Sequence, residues 1–183
     1  MDRGPGRLPA MIVPDAKDWT WVIERPCPEC GFDGRACAAA SVAELVRSNA
    51  ASWRQLLDEG AIQPGRPNDA TWSPLEYACH VRDVYRRYLQ RIVLMRTEVD
   101  PLYANWDQDA SAIDDAYEAQ DPAAVIAELD AAAEAVASEL DELGAVEWSR
   151  PGRRSDGANF TIETIARYMV HDTIHHVWDL GRA

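Results

Sequence analysis

The sequence lacks the features that mark membrane and nucleic-acid-binding proteins. No apolar run approaches the roughly 18 residues that a membrane span needs, and segment 1–15 has no apolar core of a secretory signal. Basic residues are also scarce: 18 Lys and Arg stand against 31 Asp and Glu, a net charge of −13. A nucleic-acid-binding protein usually carries a basic surface. We therefore expect a cytoplasmic protein that binds neither membranes nor nucleic acids.

Glycine and cysteine are few as well, with 10 and 4 residues in a chain of 183. Little glycine together with much Ala, Leu, Glu and Arg favours helices, and this length is sufficient for one domain with a sizeable core. Without an export signal, the cysteines are expected to be thiols or metal ligands rather than disulfides. They are Cys27, Cys30, Cys37 and Cys79.

Four amphipathic patterns predict four long helices. They cover about 41–59, 74–98, 122–143 and 161–180, and capping signals such as Ser73-Pro74 and Asp121-Pro122 open two of them. A shorter helix is predicted near 113–117, and no strand pattern is visible. The fold class is therefore all-α, an antiparallel four-helix bundle over 41–183. The Pro- and Gly-containing segment 1–40 is predicted to be an irregular arm packed on that bundle.

Histidine is scarce: the chain has 4, and 3 of them lie in the last predicted helix. His171 and His175 are four residues apart and so share one helix face. His80 lies on the second helix, from which it can face them across a bundle core. Three imidazoles would hold Zn, Ni, Fe or Cu and leave positions open. The alternative is that these histidines are hydrogen-bonded core residues.

The sequence resembles the DinB-like (damage-inducible) superfamily of metal-binding four-helix bundles. The resemblance rests on "WSPLEYACHV", similar to that family's opening of its second helix, and on "HDTIHH", similar to its terminal His-x-x-x-His. It implies that His80, His171 and His175 are the metal ligands and gives no such role to His176. It covers residues 41–181 and implies nothing about segment 1–40.

Relatives in that family include thiol-dependent transferases and isomerases that use mycothiol, bacillithiol or glutathione. The resemblance therefore implies a divalent transition metal, with Zn or Ni first and Fe next, and a thiolate that attacks an electrophile. A metal-dependent hydrolase uses the same geometry. Relatives in that family are commonly dimers, so the resemblance is also compatible with a homodimer. A non-catalytic, stress-response protein that binds a metal or small ligand is the alternative function, and an adaptor protein is a third.

Several residues are candidates for supporting roles, although no catalytic residue is assigned. Asp83 and Asp172 could orient ligand histidines, as carboxylates often do, or could be solvated surface charges. Tyr168 and Asn49 are either pocket or packing residues. The basic loop with Arg150, Arg153 and Arg154 could receive a carboxylate or simply be exposed. The candidates for orienting the ligands or lining the pocket are therefore Asn49, Asp83, Tyr168 and Asp172.

The pair Cys27-x-x-Cys30, followed by Gly31, has the spacing of a zinc knuckle. A closed zinc site needs four ligands, and the sequence has no second such pair. We therefore expect a reduced pair in the packed arm, with a second zinc site or a redox role as alternatives. Cys79 is expected to be a small core residue.

Overall fold

The computed structural model describes residues 19–68 and 70–181, which form a helical bundle. The predicted antiparallel four-helix bundle is confirmed, with one additional short helix. None of the described helices is both long and apolar enough to cross a membrane. The helices are α1 (Val42–Asp58), α2 (Pro74–Thr97), α3 (Gln108–Asp114), α4 (Pro122–Asp141) and α5 (Ile162–Leu180).

Capping side chains determine where the long helices begin. The Ser73 hydroxyl accepts a hydrogen bond from the Glu76 amide, and the Glu76 carboxylate accepts one from the Ser73 amide. Asp121 caps α4, and Thr161 caps α5 in a reciprocal arrangement with Thr164. These caps fix the starting points of α2 and α5, and hence the angular positions of the histidines that follow.

The four long helices pack in an order that differs from their order in the chain. Helices α1 and α2 each pack against both α4 and α5, so the order around the bundle is α1, α4, α2, α5. Helices α2 and α5 are therefore neighbours, and side chains from both meet along one seam. The largest fully buried core side chains include Trp53, Tyr85, Leu129, Ile165 and Met169.

A small three-stranded sheet corrects the expectation that strands are absent. β1 (Leu102–Tyr103) pairs in parallel with β2 (Pro151–Arg154), and β2 pairs antiparallel with β3 (Asn159–Thr161). Gly152 lies directly on α2, since a Cβ there would come within 2.7 Å of the Met95 Cγ. Strands this short cannot show the alternation that identifies a strand in sequence.

Two expectations outside the bundle have different outcomes. The short helix predicted near 113–117 begins earlier, at Gln108, because Asp107 caps it. Of the predicted arm, residues 1–18 lie outside the described residues. The following part lies along α5: the turn Thr20–Ile23 packs on it, and the Arg167 side chain donates to the Cys37 carbonyl at 2.9 Å.

Candidate metal centres

The structure divides the predicted histidines between two clusters of ligand atoms, each with all members within 4.8 Å of one another. His80, Asp172 and His176 form what we call the pocket cluster. Cys27, Cys30, His171 and His175 form what we call the cysteine cluster. The predicted set of His80, His171 and His175 is neither of them, and it remains a competing prediction that ligand substitutions can test.

The pocket cluster joins one side chain of α2 to two of α5. Asp172 and His176 are four residues apart, and the His176 Nε2 lies 2.9 Å from the Asp172 Oδ1. The His80 Nε2 lies 3.6 Å from the same oxygen. The other nitrogen of His176, Nδ1, lies 3.1 Å from the Asp179 Oδ2. Asp179 therefore orients His176 in the way that carboxylates orient ligand histidines.

His80 supplies the structural test of whether this cluster suits a cation. Its side chain is fully buried, and neither ring nitrogen has a hydrogen-bond partner within the described part of the chain. An unsatisfied buried polar group costs about 1–3 kcal/mol. A cation held jointly with Asp172 and His176 would satisfy the His80 nitrogen that faces them. Two imidazoles and one carboxylate are a donor set that fits a divalent transition metal.

The electrostatics of the pocket cluster also favour positive charge. Burial lowers the pKa of His80, although Asp172 opposes the shift. Burial likewise disfavours a charged His176, but hydrogen bonds to Asp172 and Asp179 outweigh it and raise the pKa of His176 to about 9. The pKa of Asp172 is held well below its usual range by His176 and His80, against the effect of burial. The carboxylates thus stabilise a positive charge beside His80.

Aromatic rings hold the pocket cluster in place. The His80 ring lies between Trp72 and Trp106, with ring centroids 5.1 and 5.2 Å away. Tyr77 packs on His176 with a centroid separation of 4.8 Å. These contacts restrict the rotation of both imidazoles, so their nitrogens are preorganised.

The cysteine cluster joins the segment before α1 to the C-terminal half of α5. The Cys27 Sγ lies 3.7 Å from the His175 Nδ1, and the His175 Nε2 lies 3.2 Å from the Glu29 carboxylate. Burial lowers the pKa of His171 to about 4 and raises that of Cys30 to about 11. Without a cation, burial therefore favours the neutral forms of these ligands.

Both clusters border one cavity of about 350 Å³. Its lining includes four aromatic side chains, Trp19, Trp72, Tyr77 and Tyr168, and four carboxylates, Glu29, Asp109, Asp172 and Asp179. Among the described lining residues there is no Lys or Arg. The cavity is thus an acidic, aromatic pocket of the size that binds small molecules.

Of the four supporting residues predicted from sequence, two lie at the pocket cluster or its cavity and two lie elsewhere. Asp172 belongs to the pocket cluster itself, and Tyr168 lines the cavity. Asn49 instead bonds across the bundle, donating to the Thr173 carbonyl at 2.9 Å and accepting from the Tyr85 hydroxyl at 2.8 Å. Asp83 pairs with neighbouring arginines and accepts from the Tyr117 hydroxyl at 2.6 Å, and it belongs to neither cluster.

The basic loop and Cys79 have structural roles. Arg150 donates to the carbonyls of Met95 and Glu98 at the end of α2, at 2.6 and 2.8 Å. Arg153 and Arg154 form ion pairs with Asp100 and Asp156. Cys79 is fully buried in the core, as expected.

The sequence prediction gave no ligand role to His176, did not name Asp179, and left the two cysteines without partners. A signal for His176 was present, since Asp172 precedes it by four residues, the same spacing as the His171–His175 pair. The partners of Cys27 and Cys30 could not be found in the same way, because His171 and His175 lie more than 130 positions further along the chain.

Comparison with known proteins defines the class and then the family. The fold and the pocket cluster are those of a four-helix bundle able to hold a metal ion between neighbouring helices. A family model of the DinB superfamily matches residues 44–180, so the chain belongs to the DinB superfamily. No curated protein matches it.

One solved structure shows the same fold. It is YfiT from Bacillus subtilis, described as a probable metal-dependent hydrolase with an unusual four-helix bundle topology. The TM-score is 0.69 at 19% sequence identity, over 79% of this chain and 86% of that chain.

Proposed function

We propose that this protein is a metal-dependent enzyme whose ion is held by the pocket cluster, and that it activates a small, uncharged thiol for attack on an electrophile. The observation that carries the proposal is His80: a fully buried imidazole with unpartnered nitrogens, facing a carboxylate and a histidine of the neighbouring helix. Such a group is costly unless something binds it.

The ligand number favours catalysis. Three protein ligands leave coordination positions open, whereas structural zinc sites use four. Two of the three, Asp172 and His176, line the cavity that both clusters border, so a small molecule can reach an ion held there. A bound divalent ion lowers the pKa of a coordinated thiol or water and so supplies a nucleophile at neutral pH.

The protein's own side chains orient the reactants. Asp179 fixes the His176 ring through Nδ1, so that Nε2 points toward Asp172. Trp72 and Trp106 hold the His80 ring. Tyr168 and Tyr77 form part of the cavity wall on which a substrate would pack.

The charge of the cavity selects among the thiols. Four carboxylates line it, and no described lining residue is Lys or Arg. Glutathione and bacillithiol both carry carboxylates, which such a cavity repels. Mycothiol carries none, because its cysteine is acylated and joined to a sugar. An uncharged sugar thiol therefore fits this cavity best.

A metal-dependent hydrolase is the second candidate. The polar lining of the cavity admits water, and the description of YfiT is of that class. The two candidates differ in whether the nucleophile comes from a thiol or from water.

The test uses untagged protein loaded with Zn or Ni. It is mixed with a model electrophile and, in turn, with mycothiol, bacillithiol or glutathione, and separately with ester substrates and no thiol. We expect turnover with mycothiol, little with the acidic thiols, and a loss of about 100-fold or more in His80→Ala. Cys79→Ala, a buried neighbour on α2, is the control.

Thiol-independent ester hydrolysis that His80→Ala abolishes would favour the hydrolase. Metal binding without any turnover would leave a non-catalytic binding protein. A wild-type protein that takes up no metal at His80 would contradict all three.

A further inference from the structure

We propose that Cys27, Cys30, His171 and His175 form a second, structural zinc site that fastens the segment before α1 to α5. This site is separate from the pocket cluster and does not depend on its function. The proposal rests on the geometry, burial and hydrogen bonding of the four side chains.

The spacing of the ligand atoms fits a tetrahedral ion. All four atoms lie within 4.8 Å of one another. Zn–S and Zn–N bonds of about 2.3 and 2.0–2.1 Å at a tetrahedral angle place sulfur and nitrogen about 3.6 Å apart. The Cys27 Sγ and the His175 Nδ1 are 3.7 Å apart. The separation of this pair therefore matches that of two ligands of one tetrahedral zinc ion.

The cysteine loop is a tight turn of the kind that presents two thiols to one ion. The Cys27 amide donates to the Phe32 carbonyl at 2.9 Å, and the Gly31 amide donates to the Cys27 carbonyl at 3.0 Å. Gly31 has φ of +76°, a conformation that side chains disfavour. The glycine that follows the second cysteine is thus required by the turn itself.

Burial makes an unliganded cluster costly. Cys27, His171 and His175 are only 1%, 3% and 7% exposed. The His171 Nε2 is buried without a hydrogen-bond partner in the described part of the chain. Trp19 and Phe32 cover the His171 ring, with centroids 5.7 and 6.1 Å away. A cation bound by the cluster would give the buried His171 ring a polar partner.

A carboxylate completes the arrangement around His175. Its Nδ1 faces Cys27, and its Nε2 lies 3.2 Å from the Glu29 carboxylate. Ligand histidines usually donate their second N–H to a carboxylate or carbonyl, which fixes the tautomer and the ring orientation. Glu29 lies between the two cysteines in sequence, so one short loop supplies two ligands and one orienting group.

The ligand set indicates a structural role rather than a catalytic one. Two thiolates and two imidazoles complete the four-coordinate shell of zinc and leave no open position. The segment that this site would hold also forms part of the cavity wall, through Trp19 and Glu29. We infer that the zinc site keeps this wall in place beside the pocket cluster.

The test counts metals and identifies their ligands in the untagged, full-length protein, prepared under reducing conditions. Wild type should bind two equivalents by elemental analysis, and its cobalt-substituted form should show thiolate-to-cobalt charge-transfer absorption. The double variant Cys27→Ser/Cys30→Ser should bind one equivalent and lose that absorption. The control Cys37→Ser, which alters a cysteine outside the cluster, should keep both equivalents and the absorption.

His80→Ala separates this proposal from the proposed function. It should bind one zinc, and X-ray absorption at the zinc edge should show two sulfurs at about 2.3 Å and two nitrogens at about 2.0–2.1 Å. A cobalt form without thiolate absorption, or a metal count that the cysteine substitutions leave unchanged, would overturn the second site while leaving the pocket cluster untouched.

A measurement on wild type covers the case in which the double variant does not fold. Cys30 is only partly buried, so it is accessible to an alkylating reagent unless zinc occupies its thiolate. Mass spectrometry should find it protected in the zinc-loaded protein and modified after chelation. Equal modification before and after chelation, or a Cys27–Cys30 disulfide in the protein as isolated, would contradict the proposal.

Discussion

The pocket cluster and the cysteine cluster each take two residues from α5, and these two pairs are offset by one position. His171 and His175 face the segment before α1, whereas Asp172 and His176 face α2. Both pairs have a spacing of four residues, which places side chains on one face a turn apart. A shift of one residue rotates the face by about 100°. A single helix can thus present two ligand pairs to two different neighbours.

The clusters differ in ligand type and in number. The pocket cluster has three members, a carboxylate and two imidazoles, and two of them, Asp172 and His176, line the cavity. The cysteine cluster has four ligands, two of them thiols, and is covered by Trp19 and Phe32. Open three-ligand sites suit reactions and closed thiol-rich sites suit structure. This difference in ligands would keep two neighbouring metal sites chemically distinct.

The largest expected effect comes from the two adjacent histidines. His176→Ala should lower turnover by about 100-fold or more, because it removes a ligand of the pocket ion. The same variant should keep the thiolate-to-cobalt absorption. His175→Ala should remove that absorption and lower turnover by a much smaller factor. Metal analysis, cobalt spectra and steady-state kinetics on the matched pair provide the comparison.

The opposite result is equally informative. If His175→Ala removed the pocket metal and His176→Ala did not, the set of His80, His171 and His175 predicted from sequence would be the correct one. The division into two clusters would then be wrong.

The second effect concerns the segment that the cysteine cluster would hold. Cys30→Ser should increase tryptic cleavage after the exposed Arg35 by about 10-fold or more, because local opening of this segment no longer has to release zinc. Cleavage within α1 to α5 should not change. Limited proteolysis followed by mass spectrometry measures both, with Cys37→Ser as the control. Equal cleavage in both variants would contradict a tethering role.

The third effect tests Glu29 as the orienting group of His175. Glu29→Gln keeps a hydrogen-bonding oxygen but removes the charge, so zinc affinity of the cysteine cluster should fall by about 10-fold. Competition with a chromophoric chelator, monitored by thiolate absorption, gives the affinity. Glu24→Gln, an exposed glutamate in the same segment, is the control. A fall in affinity at the pocket cluster instead would show that Glu29 acts through the shared cavity.

The helices were predictable because their ends carry local signals. Ser73-Pro74 with Glu76, and Asp121-Pro122, place the starts of α2 and α4 within the sequence itself. The strands were not predictable in the same way. The pairing of β1 with β2 joins residues about 50 positions apart, such as Leu102 and Arg153, and the stability of strands this short depends on packing that no local pattern shows.

The candidate site was predictable only in part, for a related reason. Helical spacing correctly indicates that His171 and His175 share a face, but the face of α5 that meets α2 depends on how the helix is rotated in the bundle. That rotation follows from the packing of Ile165, Met169 and other core residues, which sequence periodicity fixes only to within about one residue. A rotation of α5 by one residue, about 100°, decides whether His175 or His176 faces α2.

The smallest expected effect concerns Glu76, which stabilises the start of α2, the helix that carries His80 of the pocket cluster. Glu76 lies one turn before His80, is buried, and pairs with Arg66 while completing the cap of α2. Burial alone would raise the pKa of Glu76, but Arg66 and Ser73 outweigh it and lower the value. Glu76→Gln keeps the cap and loses the charge, so unfolding should cost about 1 kcal/mol less at pH 7.

The sign of the pH dependence follows from that lowered pKa. A carboxylate with a depressed pKa stabilises the folded state above its unfolded pKa of roughly 4.3, and this contribution disappears as the pH falls through the folded pKa. Urea denaturation of wild type and Glu76→Gln should therefore differ at pH 7 and converge in acid, with the exposed Glu118→Gln as control. The cobalt absorption of the cysteine cluster at pH 7 should be the same in all three, because Glu76 is hydrogen-bonded to Ser73 at the start of α2 and to Arg66 in the preceding loop. A loss of that absorption would mean that the two clusters share a common support.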